Sequence, residues 1–284
     1  MRHPNVPESL DGWWILHRMY SFERLAWDSL EPAERHEITQ EAIFALESMK
    51  DGKTKDVGVA QLLGHKADFM LTHYSRDYDG LAHAQTVFDK TRLSQFLIPT
   101  YSYVSVLELG LYDATGKIHA ALAERQLKPF TDEWNAAFDE MLQAEAKNPR
   151  NAGRLWAPIP QRRYVCFYPM DKKRGEQVNW YSLPFEDRAR LMLEHGKIGR
   201  TYHGIVTQVI SGSIGFDAHE WGVDLYADDP MVFKKLVYEM RFDEASAKYG
   251  EFGDFYSGLQ FSLDQLGKFL DGTEVPKLNV LQVV

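Results

Sequence analysis

The chain has 284 residues, 44% of them hydrophobic, and 41 acidic side chains against 32 basic ones give a formal net charge of -9. That length can bury one large core or two modest ones, and the acidic balance argues against broad nucleic-acid binding, which needs a basic face. No run approaches the ~20 apolar residues of a membrane span, and the amino-terminal MRHPNVPESL has no apolar segment behind its charges, so a cytoplasmic protein without a membrane partner is expected.

In chain order, GWWILHRMY over 12–20 predicts a strand, and Glu31 to Met49, introduced by Pro32, carries a helical pattern. Val57 to Leu63 and Ala67 to Tyr74, joined through Gly64, read as a hairpin; Leu81 to Phe96 reads as a helix and YSYVSVLEL over 101–109 as a strand. Residues 113–153 differ. Trp134, Ala137, Phe138, Met141 and Leu142 fall at helical spacing behind Thr131-Asp132-Glu133, and Asn148-Pro149-Arg150-Asn151 reads as a turn, so this stretch is a helical excursion.

The second half repeats the order of the first. Tyr164 to Tyr168 alternates as a strand that Pro169 ends; Leu183 to His195 follows as a helix capped by Ser182, with Glu186 and Asp187 in its first turn and Gly196 stopping it. Gly204 to Ile210 and Trp221 to Tyr226 form a second hairpin, Pro230 to Tyr238 a helix, and Leu263 to Leu270 a short terminal helix before the apolar end Leu278 to Val284. Gly64 before ADFML and Gly215 before WGVDL are parallel in placement. The expected fold is α+β: two ferredoxin-like halves, 1–112 and 154–284, whose sheets pack into one barrel-like core, with 113–153 between them.

The chemistry candidates gather in 154–208. Arg154, Arg162, Arg163, Lys172, Lys173 and Arg174 face a single acid, Asp171, which against an acidic background points to a local site for carboxylates or phosphates. Tyr168 sits at a strand end beside these cations. His195 ends an apolar stripe with Leu191 and Met192, as a neutral imidazole held toward an iron would, although the helix end equally favours a protonated surface histidine. Gln208 is a polar residue in the apolar run IVTQVI, either bonded to backbone or pointing at a ligand. Asp243-Glu244 could orient His195 or serve as helix charges. Cys166, the single cysteine, excludes intrachain disulfides and reads as a packed strand residue. HExxH, paired-histidine, GxSxG and phosphate-loop patterns are absent from the sequence.

The runs CFYPMDKKRGEQVNWYSLPFEDRARLMLEHGKIGRTYHGIVTQVISGSIGFDAHEWGVDLYADD and YEMRFDEASAKYGEFG, with LDGWW, LLGHKADF and PTYSYVSVLEL in the first half, resemble the coproheme decarboxylases of the chlorite dismutase superfamily. The resemblance implies a ferredoxin-like duplication, assembled as a homopentamer, with one porphyrin per carboxyl-terminal half. It implies iron coproporphyrin III (coproheme) as substrate and redox centre, hydrogen peroxide as oxidant, and heme b as product of the oxidative removal of two propionate carboxyls through a tyrosyl radical. A ferrochelatase that supplies coproheme is the implied transient partner. On this resemblance His195 is the iron ligand, Tyr168 the radical carrier and Lys172 the lysine near a reactive propionate. Tyr112, Arg154, Met170, Arg241 and Ser246 are then residues around the porphyrin carboxylates, and Gln208 the distal group where chlorite dismutases carry arginine. A heme-binding or heme-delivery protein with no catalytic duty is the alternative, and a cofactor-free scaffold a third reading.

Overall fold

A computed structural model of the chain describes residue 2 and residues 5–279. The end of the apolar tail, 280–284, therefore lies outside the described residues. The described residues form nine strands and ten helices: β1 Leu10–Phe22, α1 Arg24–Asp28, α2 Pro32–Ser48, β2 Lys55–Leu62, β3 Phe69–Ser75, α3 Tyr78–Asp89 and β4 Leu97–Leu109 in the first half. The helices α4 Leu111–Glu124, α5 Asp132–Lys147 and α6 Pro149–Leu155 follow. The second half has β5 Tyr164–Lys172, α7 Phe185–Thr201, β6 Thr207–Gly212, β7 Trp221–Ala227, α8 Met231–Met240, α9 Glu244–Tyr249, β8 Gly250–Phe252, β9 Tyr256–Phe261 and α10 Leu266–Asp271. The result is a mixed α/β fold built on one large antiparallel sheet.

The strands lie in the order β7-β6-β4-β1-β3-β2-β9-β5-β8, and β7 also pairs with β5, so eight of them form a hydrogen-bonded ring with β8 outside it. Side chains alternate between the two faces of such a sheet. One face of β1 sends Trp13, Ile15 and Met19 into a cluster with Met70 and Tyr74 of β3, Tyr103 of β4, Phe167 of β5 and Tyr226 of β7. Within it, His17 Nε2 meets Asp224 Oδ1 at 2.9 Å, and both side chains are fully buried. The opposite face is covered in the first half by α2, α3 and α10 through Leu46, Phe88 and Phe269, which pack on Val57, Val59, Phe69 and Leu71. In the second half α8 covers it, with Val232, Phe233 and Leu236 on Cys166, Tyr168, Val223 and Leu225.

Several expected boundaries move, each for a local reason. The predicted helix 81–96 starts three residues early, at Tyr78, behind Asp77, whose side chain accepts from Gly80 N at 2.6 Å, and after Asp89 it gives way to a 3-10 turn over Arg92–Phe96. The predicted turn at Asn148–Asn151 is instead the start of α6, where the Asn148 side chain accepts from Arg150 N and Pro149 occupies the first helical position. Pro169 does not end β5. Its carbonyl accepts from Gly253 N at 2.9 Å, so its nitrogen faces the same side, where the ladder passes from β9, last paired at Phe167, to β8, first paired at Met170. A proline fits such a gap because no N–H is required there. The predicted strand 204–210 lies at 207–212. Gly196 does not stop α7, which runs to Thr201, and Pro184, rather than Ser182, stands at its N-cap.

Candidate functional site

The antiparallel register puts the predicted residues on one sheet face. Tyr168, Met170 and Lys172 are alternate residues of β5; Tyr168 lies opposite Val223 and Cys166 opposite Leu225, and Val223 and Leu225 lie opposite Ile210 and Gln208 of β6. Cross-strand partners share a face, so Gln208 stands on the face that carries Tyr168, two strands across and one row along. Helices α8 and α9 flank this face, and α7 packs against both.

Tyr168 is 5% exposed, its ring stacked on Phe255 at 4.4 Å between centroids with Phe252 at 5.8 Å. Burial drives its phenol pKa upward, so the group stays protonated through any ordinary pH. Met170 pairs with Phe252, whose ring has the Arg241 guanidinium 5.6 Å away. Lys172 is also 5% exposed, and its Nζ donates to the Ala245 carbonyl at 3.3 Å and lies 4.8 Å from the Trp180 ring. Burial lowers its amine to about 8, against the opposing pull of Asp243 and Glu220.

His195 occurs in mid-helix, so the helix-end argument for a protonated ring does not apply. Its Nδ1 lies 3.0 Å from Asp243 Oδ2 and 3.3 Å from Ser246 Oγ. Asp243 is itself fixed: it is the N-cap of α9, its Oδ1 accepting from Ser246 N at 3.0 Å. Burial would raise the Asp243 carboxyl, yet its hydrogen bonds to His195 and Ser246 outweigh burial and hold its pKa below the usual carboxylate value. Glu244 takes no part in this, since its carboxylate reaches Arg190 at 3.8 Å. With Nδ1 engaged by a carboxylate, Nε2 is left for another partner, the arrangement of a histidine that ligates a metal. The donor set thus fits a single axial bond to iron. Among the described residues no group of three or more His, Cys, Asp or Glu side chains is placed to hold a metal ion by itself, so the remaining iron ligands would have to be the porphyrin's own.

The Gln208 amide donates to the Gly199 carbonyl at 3.1 Å, one turn beyond His195 on α7. Of the two expected roles, backbone bonding is the one present, to the helix that carries His195. Tyr112, in the first turn of α4, meets Trp180 edge-on at 6.3 Å and Phe185 at 5.7 Å.

The basic run does not gather into one patch. Arg162 pairs with Asp228 and Arg163 bonds the Gln260 carbonyl at 2.6 Å near the start of β5, while Arg174 approaches Glu220 at 3.4 Å beyond its other end. Arg154 is exposed on α6 and makes no hydrogen bond or ion pair with the described residues. A strand of nine residues separates cations that are near one another only in sequence. Sequence reasoning also passed over Trp180 and Arg188. Arg188 stands seven residues before His195, the spacing that returns to the same helix face, and that signal was available.

The chlorite dismutase family model matches residues 35–261. The chain is 44% identical over 269 residues to the coproheme decarboxylase of Staphylococcus saprophyticus, covering 93% of this chain and 97% of that protein. Among solved structures, a heme-binding protein from Thermus thermophilus superposes with a TM-score of 0.79 at 36% identity, over 95% of this chain and 99% of the other. A chlorite dismutase mutant from Candidatus Nitrospira defluvii shares the fold at a TM-score of 0.68 and 20% identity, over 92% and 96% of the two chains. Matched along most of its length by model, sequence and structure alike, the chain belongs to the chlorite dismutase family.

Proposed function

We propose that the protein catalyses the hydrogen-peroxide-dependent oxidative decarboxylation of iron coproporphyrin III to heme b, as a cytoplasmic enzyme of heme biosynthesis. The observation that carries this reading is His195, backed by Asp243 and with Nε2 free, in a chain 44% identical to a coproheme decarboxylase. Substrate and redox centre are one molecule, and its iron with peroxide supplies the oxidising power when bound.

The residues then divide the work. His195 would hold the iron through Nε2, with Asp243 fixing the orientation of the ring. Tyr168, neutral because burial keeps its phenol protonated, would pass the Oη hydrogen atom to the peroxide-derived oxidant, reducing it by one electron, and take one back from the propionate carbon next to the ring. Its aromatic neighbours Phe252 and Phe255 exclude water from the phenol. Lys172, as an ammonium, holds the reacting carboxylate, and Gln208 positions peroxide by hydrogen bonding without adding charge. Tyr112, Arg154, Met170, Arg241 and Ser246 line the porphyrin edge. Each propionate, with one peroxide and one proton, gives a vinyl group, carbon dioxide and two waters.

We read the sheet as two ferredoxin-like halves, 1–112 and 154–284, closed into a barrel, with 113–153 as a helical insertion. The matching strand orders β4-β1-β3-β2 and β6-β7-β5-β9 support this, each being the order 4-1-3-2 or its reverse within its half. Assembly as a homopentamer and transient contact with a ferrochelatase complete the proposal; a monomeric hydrodynamic mass would exclude the first. The likeness to a heme-binding protein keeps heme binding or delivery as a second reading. Loading the protein with iron coproporphyrin III, adding peroxide stepwise and following mass separates them: stepwise loss of two carboxyl groups is expected, and ring bleaching without such loss would leave only binding.

A further inference from the structure

Arg188 is a buried cation that the fold leaves without an anion. The residue is 3% exposed in the first turn of α7. Its Nη2 donates to the Asn5 carbonyl, its Nη1 reaches the Tyr112 hydroxyl only at 3.5 Å, and its Nε has no partner. Its Cζ lies 5.7 Å from the Tyr112 ring centroid. None of the ion pairs among the described residues includes it. Buried charges are ordinarily paired, because an uncompensated charge away from water costs several kcal/mol.

A second buried cation stands beyond the same aromatic pair. Tyr112 meets Trp180, and Lys172 Nζ lies against the other ring, its one hydrogen bond going to a main-chain carbonyl. Neither cation forms an ion pair, and Tyr112 and Trp180 join them; Asp243 and Glu220 act on Lys172 from a distance, which leaves Arg188 as the cation with no carboxylate of its own. Helix geometry adds a distance: seven residues separate Arg188 from His195, two turns or roughly 10.5 Å along one face. That is the scale of the reach from the centre of a porphyrin to the end of a propionate.

We propose that Arg188, with Tyr112, binds one of the two substrate carboxylates that the reaction removes. This rests on the decarboxylase reading, through Lys172 as the partner of a reacting carboxylate. The Nε–H supplies a charge-assisted hydrogen bond that the ligand-free protein leaves undonated. The alternative role for Arg188 is to anchor the amino-terminal segment through Asn5 alone.

The test compares the full-length parent, Arg188→Met and Arg188→Lys in titrations with iron coproporphyrin III, which has four carboxylates, and with heme b, which has two. Thermal unfolding of each ligand-free protein accompanies them, to register loss of the Asn5 anchor. Arg188→Met should weaken iron coproporphyrin III binding roughly thirtyfold, about 2 kcal/mol, and heme b binding less than about threefold, with Arg188→Lys between parent and Met. Equal weakening of both porphyrins, or none, would overturn the proposal and leave Arg188 as an anchor. A parent that binds and decarboxylates while Arg188→Met keeps its preference for four carboxylates sinks this inference alone; a parent that binds neither porphyrin removes the functional reading with it.

Discussion

The outer sheet face under α2, α3 and α10 and the corresponding face under α7, α8 and α9 are made from the same order of elements, yet they are finished differently. In the first half Leu46, Phe88 and Phe269 from the helices, with Phe69 and Leu71 from the sheet, all lie below 5% exposure. In the second half the strand residues are as well buried, but Tyr202, Met240, Phe252 and Phe255 close over them only partly, and the His195 side chain keeps 25% of its surface. A face filled by large apolar side chains serves stability; the other buries Tyr168 and Lys172 under an incomplete apolar cover and leaves His195 partly exposed. The difference shows that fold order and site are separable, as expected where one architecture hosts several chemistries.

Substitutions should separate the faces in the same way. The largest effect is expected from Tyr168→Phe, which removes one oxygen and leaves the ring packed on Phe255. Decarboxylation followed by mass should stop, while porphyrin affinity changes by about tenfold at most, the worth of one neutral hydrogen bond. Heme b formed at the parent rate would assign the radical to another residue, Tyr112 being the first to examine. His195→Ala should abolish turnover and alter the iron absorption spectrum while the carboxylate contacts retain some porphyrin; an unchanged spectrum would mean another axial ligand. On the filled face, Phe88→Ala should cost ~3–5 kcal/mol in chemical denaturation, because that side chain is fully buried, yet leave activity per folded molecule intact. Lost chemistry in the folded variant would break the contrast.

Two smaller effects sharpen it. Lys172, lowered to about 8 from 10.5 mainly by burial, is an ammonium below that pH and neutral above it. Carboxylate binding that needs the ammonium should therefore weaken about tenfold between pH 7 and 9, and Lys172→Met should flatten the profile. Without ligand the sign reverses: the unfolded chain holds the extra proton between about 8 and 10.5, so this group's contribution to stability rises with pH over that window. Gln208→Ala should slow peroxide consumption by roughly threefold to tenfold with substrate affinity nearly unchanged. A normal rate would leave Gln208 only its bond to the Gly199 carbonyl.

The strands and the repeated order were legible because alternation and turn chemistry are local signals. Gly196 misled because a helix interior accepts a glycine when surrounding packing carries the helix on, as it does here to Thr201. The proline rule failed at Pro169 because the gap between β8 and β9 is set by chain more than 80 residues away. Cations close in sequence are not close in space here, because the strand from Tyr164 to Lys172 holds its two ends apart. Tyr168 and His195 drew notice through residue type and the resemblance, and Asp243-Glu244 as a pair that could orient His195; which carboxylate reaches the ring is a tertiary fact, 48 residues distant in the chain.

The join between β4 and β6 consists of only two residue pairs, Val106 with Gly212 and Leu107 with Ser211. Among the described residues the rest of that flank of β4 has no strand neighbour, and an unpaired flank is a template for adding a foreign strand. The protein blunts it. Asp217 accepts from Val104 N, Ser213 donates to Val104 O, and Pro99 supplies no N–H in the stretch beyond. Copies of the chain should therefore associate through side chains and helices rather than by strand addition, and loss of Pro99 or Asp217 should appear first as aggregation.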